Sequence, residues 1–582
     1  MVNKMKIYSM KALKTMNKQL LILGLILCMS SSALFAQQDE SQPMDMDVTF
    51  VGDLELFIRD ANKINGVPKT RESLEELPPI RYSLIPNKMN ADIEVSPISA
   101  AKVNVEEKLK KLYRGFVKGG FGLYTTPLLE VYYTDGRSRK GTYGIDAKHI
   151  STSGGVAADD SIPDGYSHNS IHLWGKKFLD KHALTGAFTY DRQVVNYYGF
   201  SPDSFPLVDT DDIKQRFNLV EIEGGLLSYH RDSTMLNYDL GLKYYNYGDI
   251  RDGSENNIDV SGKFRKKVNN EIYKLNLGLN YNHFSYTSLS DTTTGTRDNA
   301  ILRIEPMAYT TRGNLQVSLG MSLMLNGTGD QPVHFYPLAE ASYGLFGNIL
   351  VPYAGVRGEV VRQSYRDLTE INPFILTAPK LKSMNNKLEL YGGIRGRISS
   401  EASFNAHISS NSYEDFAYFV NDSVYSATNQ FQVVYDKLNV VNIGGELSLQ
   451  GNEKLSLYVR GDYFIYGDKG PAEAWHQPSS RFSFGGVYNI QDKLIFRGEV
   501  YQMGKRKALS LGPVDGGDLQ DNGTYIRELK GYIDANLEAE YRYTKRLSAF
   551  ARVNNFLASK YSIWNNYNLQ RFNAMMGISF AF

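Results

Sequence analysis

Apolar and polar residues alternate along much of the chain with a period of two. In YKLNLGLNY, Tyr273, Leu275, Leu277, Leu279 and Tyr281 fall on one side, and Lys274, Asn276, Gly278 and Asn280 on the other. LNYDLGLKY divides the same way, with Leu236, Leu240 and Leu242 opposite Asn237, Asp239 and Lys243. LQVSLGMSLML sets Leu315, Val317 and Leu319 against Gln316, Ser318 and Gly320. IDANLEAEYRY sets Ile533, Leu537, Tyr541 and Tyr543 against Asp534, Asn536, Glu538, Glu540 and Arg542. Successive strand residues point to opposite faces, so these segments predict β-strands with one greasy and one wet face.

A soluble sandwich also makes such strands, but three features favour a membrane wall. The periodic stretches run to about 9–12 residues, the length of a tilted bilayer crossing. Tyrosines gather at strand ends, as in Tyr244, Tyr245 and Tyr247 or Tyr541 and Tyr543, and are expected at the lipid headgroups. The wet faces carry charge, such as Arg395 and Arg397 in LYGGIRGRISS and Arg460 and Asp462 in LYVRGDYFI.

Short turn signals recur at Asp135-Gly136, Asp180-Lys181, Arg231-Asp232, Asn269-Asn270, Arg312-Gly313, Gly347-Asn348, Ser400-Glu401, Gly451-Asn452, Asp492-Lys493 and Lys545-Arg546. Longer polar stretches such as FSPDSFPLVDTDD and GPVDGGDLQDNG lie between them. Short turns at one end and long loops at the other predict an all-β fold, a large antiparallel transmembrane barrel of about 18–22 strands with 22 the best count. The chain ends on FNAMMGISFAF, where Phe572, Ala574, Met576, Ile578, Phe580 and Phe582 share one side. This last strand is expected to pair with the first, near RGFVKGGFGLY, because a membrane sheet cannot leave an edge open.

Composition agrees with one large sheet: 51 glycines, 40 tyrosines and 28 phenylalanines, but three tryptophans. Mean hydropathy is −0.35, a value that hides alternating strands. Sixty-four basic residues balance 63 acidic ones, which argues against a nucleic-acid coat. Residues 1–36 have the layout of a cleaved export signal: Lys18, an apolar run from Leu20 to Cys28, and small residues leading to Ala36. Removing it removes Cys28, the only cysteine, and with it any disulfide or cysteine-zinc site. Residues 37–113 read as a periplasmic or lumen-filling segment with one short amphipathic pattern, Val105, Leu109 and Leu112. Residues 114–582 read as the barrel.

Together the signal, the alternating region and the terminal phenylalanine resemble Gram-negative outer-membrane β-barrel proteins, and the strand count resembles the barrel of TonB-dependent receptors. The resemblance implies an outer-membrane location, lipid and barrel-assembly machinery as partners, and transport of a solute. Phe572, Ile578, Phe580 and Phe582 resemble the signal that such machinery reads. The chain departs from the receptor pattern in two places. Residues 37–113 are shorter than a receptor plug, and DMDVTFVG, residues 45–52, imitates the energy-coupling box only weakly. The resemblance therefore implies the barrel and a solute conduit or receptor, not energised uptake. The alternative is a barrel that anchors or assembles a periplasmic or surface protein partner.

Candidate chemistry is sparse. Arg395, Arg397, Arg460, Asp462, Glu538, Glu540 and Arg542 are expected on the lumen wall, as a selective constriction or as pairs across neighbouring strands. Asp203, Asp209, Asp211 and Asp212 offer hard oxygen ligands for calcium but lack EF-hand spacing, so a solvated acidic loop is the simpler reading. His168 and His172 lie four apart on one strand face, too far apart to grip one metal ion. No catalytic residue, cofactor or nucleic-acid partner is implied; an outer-membrane hydrolase is the least favoured class.

Overall fold

A computed structural model describes residues 113–582 except 136–137, 157–161, 201–212, 231, 233, 291–292, 328–330, 452–453, 468–472, 513–515 and 521–522. The export signal, the segment 37–112 with its amphipathic pattern, and Asp203, Asp209, Asp211 and Asp212 lie outside the described residues.

The described residues form a closed antiparallel barrel of 22 strands. Spaced about 4.8 Å apart and tilted about 40°, that many strands enclose a ring roughly 40 Å across. The seven expected short turns that lie wholly within the described residues join neighbouring strands at one end, for example Asn269-Asn270 between Ser254–Val268 and Glu271–Thr287, and the other three each include a residue outside them. At the other end the connections range from the three residues 123–125 to the long stretch 504–531. Leu277, Leu279 and Tyr281 are exposed on the outer face, as are Leu242, Phe484 and Ile578 elsewhere around the ring. This apolar girdle is what lipid covers, while ring closure satisfies the backbone hydrogen bonds.

Closure happens at the two ends of the barrel sequence. The first strand, Gly115–Gly122, pairs on one side with Thr126–Thr134 and on the other with the last strand, Asn573–Ala581. Phe582 completes the pairing: its carbonyl accepts from Arg114 N at 2.7 Å, and its N–H donates to Gly115 O at 2.9 Å. Gly120 lies opposite Gly577 in this seam, and the Phe550 ring covers both from the lumen side. A Cβ on Gly577 would sit 2.1 Å from Gly119 O and 2.6 Å from Gly120 Cα, so only glycine lets the strands approach here. Lys118 Nζ sits 4.2 Å above the Phe550 ring and so extends the cover over the seam.

Several strands are longer than a crossing needs. The hairpin Ala402–Asn421 and Phe431–Gly451 has arms of 20 and 21 residues, about twice a bilayer crossing. A bulge between Tyr413 and Phe416, with Asp415 at φ 51°, breaks its register. Beyond the bulge the alternation ends, and Ala417, Tyr418, Phe419, Val420 and Asn421 are all buried. Bulges bend the strand that carries them. Here the tip of the hairpin joins the other loops instead of standing in solvent.

Candidate functional site: a cap across the loop end

Three loops define the geometry. They follow the 5th, 13th and 21st barrel strands, so around a ring of 22 they leave the wall eight, eight and six strands apart. They nevertheless touch. Tyr197 Oη donates to Ile375 O at 3.4 Å, Tyr198 Oη donates to Asn568 O at 2.8 Å, and the rings of Phe374 and Tyr567 stack at 3.6 Å. Loops spaced about a third of a turn apart can meet only near the barrel axis. The bent hairpin enters the same cluster: Asn429 Nδ2 donates to Tyr197 O at 2.7 Å, and Asn429 O accepts from Tyr567 Oη. The result is an aromatic cap over the lumen.

A short helix, Tyr365–Ile371, fastens the cap to the wall. Ser364 and Asp367 form a capping box: Ser364 Oγ accepts from Asp367 N at 3.1 Å, and Asp367 Oδ2 accepts from Ser364 N at 2.9 Å. That start aims Tyr365 between Phe217, Tyr247 and Phe284, the last stacked on it at 4.8 Å. Its N–H donates to Glu255 Oε2 at 2.6 Å and its hydroxyl to Asp249 Oδ2 at 2.5 Å. Burial pushes the Tyr365 hydroxyl far above its usual range, so it stays a donor. Burial also raises the Asp249 carboxyl, opposed by the hydrogen bond from Tyr365. Arg366 Nη1 reaches Glu221 Oε2 at 2.7 Å, and Lys243 meets the same oxygen at 2.8 Å. One carboxylate on the wall thus ties down the helix.

The expectation for the Tyr244 group is corrected at two of its three members. Tyr244 is outward and 40% exposed, whereas Tyr245 and Tyr247 are 1% and 7% exposed and lie under the helix. Strand parity separates the adjacent Tyr244 and Tyr245. Tyr247 shares Tyr245's side, where its hydroxyl meets Thr369 Oγ1 at 2.7 Å. The sequence reading missed the helix and the cap. Ser364 followed by Asp367 three residues later, ahead of Leu368 and Ile371, was the one local signal available for the helix.

The same buried cluster continues through Phe431 to Trp564 and His476. His476, at φ 59°, packs against Trp564 at 4.9 Å and Phe431 at 5.7 Å, and neither of its ring nitrogens makes a hydrogen bond of normal geometry among the described residues. Burial, with Arg506 nearby, pushes its pKa down to about 3, so the ring is neutral. Arg506 donates to the carbonyls of Ser562 and Ile563, the former at 2.6 Å.

The charged wall residues lie on the strand faces opposite the exposed apolar ones, and most meet a partner on the same or a neighbouring strand. Arg497 bridges Glu538 at 3.0 Å and Glu540 at 3.1 Å, Arg552 Nε donates to Glu538 at 2.7 Å, and Arg542 holds Glu540 at 3.1 Å. Arg460 pairs with Glu446 at 3.5 Å, Asp462 accepts from Asn442 at 3.2 Å, and Arg395 lies over Tyr353 at 5.1 Å. Arg397 ends the same strand as Arg395, and its N–H donates to Ile349 O. These contacts alternate sign along the wall. His168 and His172 bond different partners, Asp191 at 2.6 Å and Thr189 at 2.9 Å. Among the described residues no group of three His, Cys, Asp or Glu residues is placed to hold a metal. At the far end of the chain, Ile578, Phe580 and Phe582 face outward from the last strand, and Phe572 precedes it.

Solved structures share this architecture. The siderophore receptor PirA from Acinetobacter baumannii superposes with a TM-score of 0.62 at 10% identity, covering 82% of this chain and 81% of that one. The FrpB iron transporter from Neisseria meningitidis gives 0.60 at 11%, covering 81% and 82%. The pyoverdine outer membrane receptor FpvA from Pseudomonas aeruginosa gives 0.59 at 14%, covering 81% and 79%. No protein-family model matches the chain, and no curated protein matches it in sequence. At such identities the likeness is one of fold: the chain is built as a 22-strand barrel of the outer-membrane receptor type.

Proposed function

We propose that the protein is an outer-membrane receptor that admits a solute from the loop end of its barrel. The carrying observation is the meeting of three widely spaced loops near the barrel axis. A passive pore leaves its mouth open, whereas this mouth is crossed by buried aromatic rings and hydrogen-bonded loops. A solute must then displace or bind the cap before it reaches the lumen, which is how a receptor behaves. The fold shared with siderophore and iron receptors over about four-fifths of the chain supports the same reading. In this reading the alternating charges of Arg460, Asp462, Glu538, Glu540 and Arg542 hold the wall in shape more than they select an ion sign. Phe580 and Phe582 serve assembly by completing the seam.

Planar-bilayer recording tests the receptor reading. In a variant lacking residues 37–112 the cap alone stands across the mouth, and conductance should be weak. Deleting residues 364–376 as well should raise conductance at least severalfold. Large ohmic steps with the cap intact would instead make the protein an open pore.

A further inference from the structure

Beside the cap, against the lumen face of the strands Gly141–Thr152, Tyr166–Phe178 and His182–Asn196 and of the strands that close the barrel, lies a cavity of about 460 Å³. That is within the range of small-molecule sites. Its polar wall is mainly neutral, with Gln193, Asn196, Asn536, Asn554, Asn573 and Tyr501 facing Tyr166, Tyr198 and Phe374. No lining residue is Lys or Arg. Two carboxylates line it, and they differ. Asp164 is held by backbone donors, Gly155 N at 3.1 Å and Val156 N at 2.5 Å. Asp534 is 3% exposed; its Oδ2 accepts from Tyr501 at 2.8 Å and from Tyr561, while its Oδ1 has no hydrogen-bond partner among the described residues. That oxygen has almost no accessible surface, so Asp534 fixes Tyr501 and Tyr561 in the cavity wall and is not itself reached by a solute.

An anionic solute finds no cation here. Carboxamides and hydroxyls that offer directional hydrogen bonds, beside aromatic surfaces that take the C–H faces of a ring, fit a different chemistry. We propose that this cavity binds a neutral polyhydroxylated solute, an oligosaccharide, with its hydroxyls bonded to the carboxamides of Gln193, Asn536 and Asn554 and a sugar ring against Tyr198 and Phe374. The proposal rests on the receptor reading and gives it a ligand class. Tyr198 and Phe374 also form the axial contacts of the cap, so a solute in this cavity touches the groups that close the mouth.

The test uses the full chain in detergent, titrated by calorimetry with malto-, cello-, xylo- and chito-oligosaccharides, and with a ferric tris-catecholate and spermidine for comparison. At least one oligosaccharide should bind saturably. Gln193→Ala, which removes a carboxamide from the wall, should weaken it roughly tenfold. Asn554→Phe, on an exposed lumen position that has no part in the buried network, should abolish binding by filling the cavity while the barrel stays folded. Saccharide binding that both variants leave intact overturns the site. Binding of the catecholate or spermidine without any oligosaccharide overturns the ligand class and leaves the receptor reading standing. If no solute binds and none alters hydrogen exchange in the cap, both fall.

Discussion

The barrel wall and the cap use the same residue types to opposite ends. On the wall a tyrosine such as Tyr281 points outward toward lipid, shares its face with Leu277 and Leu279, and has the adjacent strands as its partners. In the cap Tyr197, Tyr365 and Tyr567 are fully or nearly fully buried; Tyr197 and Tyr567 find partners in loops as distant in sequence as residues 197 and 375 or 429 and 567, and Tyr365 reaches wall residues as distant as Phe217. The wall is thus a structure of local register. The cap is a small core assembled over the mouth from long-range contacts. Two regions stabilised so differently should fail separately, and each can be broken while the other is watched.

The wall has its least tolerant point at the seam. Gly577→Leu forces a side chain into the space between the first and last strands and into the Phe550 ring, so the barrel should not close. Loss of the heat-modifiable folded band and of membrane-inserted protein would report this, and a normal amount of folded protein would refute it. Deleting Phe582 removes three backbone bonds of the same seam and should lower membrane levels less severely.

The cap should break next, and alone. Tyr365→Ala empties the space among Phe217, Tyr247 and Phe284 and strands the Asp249 and Glu255 acceptors, a loss of about 3–5 kcal/mol. Hydrogen exchange should speed up across residues 197–200, 365–376 and 561–570, with the wall strands unchanged. Equal acceleration in both regions would show that cap and wall are one cooperative unit.

The smallest effect sharpens the comparison through pH. His476 is neutral and buried with a pKa near 3, below the ordinary value of 6.5 for the free side chain. The unfolded cap therefore binds the extra proton first, and cap stability falls as pH drops from about 6.5 toward 3, by up to about 1.4 kcal/mol per pH unit. Above pH 6.5 this contribution is flat. Replacing His476 with Phe should remove the slope from cap exchange rates, and an unchanged slope would place its origin elsewhere.

What the sequence revealed follows the same division. The alternation of Tyr273–Tyr281, short turns such as Asn269-Asn270 and the strand ending at Phe582 reported the wall because strand parity and turn chemistry are local. The closing pair of strands was legible because an open edge is forbidden in lipid. The cap was hidden because Tyr245 and Tyr247 look like girdle tyrosines until a partner is known. Phe374 and Tyr567 also lie in loops with no period to follow. The charged residues on the wet face were placed on the lumen side, but their pairing depended on which strands became neighbours, as Arg497 shows by bridging to Glu538 and Glu540 across the long loop between them.

The claim on which the account turns is that distant loops meet over the lumen, and photocrosslinking in intact cells addresses it directly. With p-benzoylphenylalanine in place of Tyr198, irradiation should link this position to peptides spanning residues 561–570 and 374–376, and mass spectrometry should find them in the same chain. Links confined to the neighbouring strands of its own hairpin would contradict the cap and leave an open barrel.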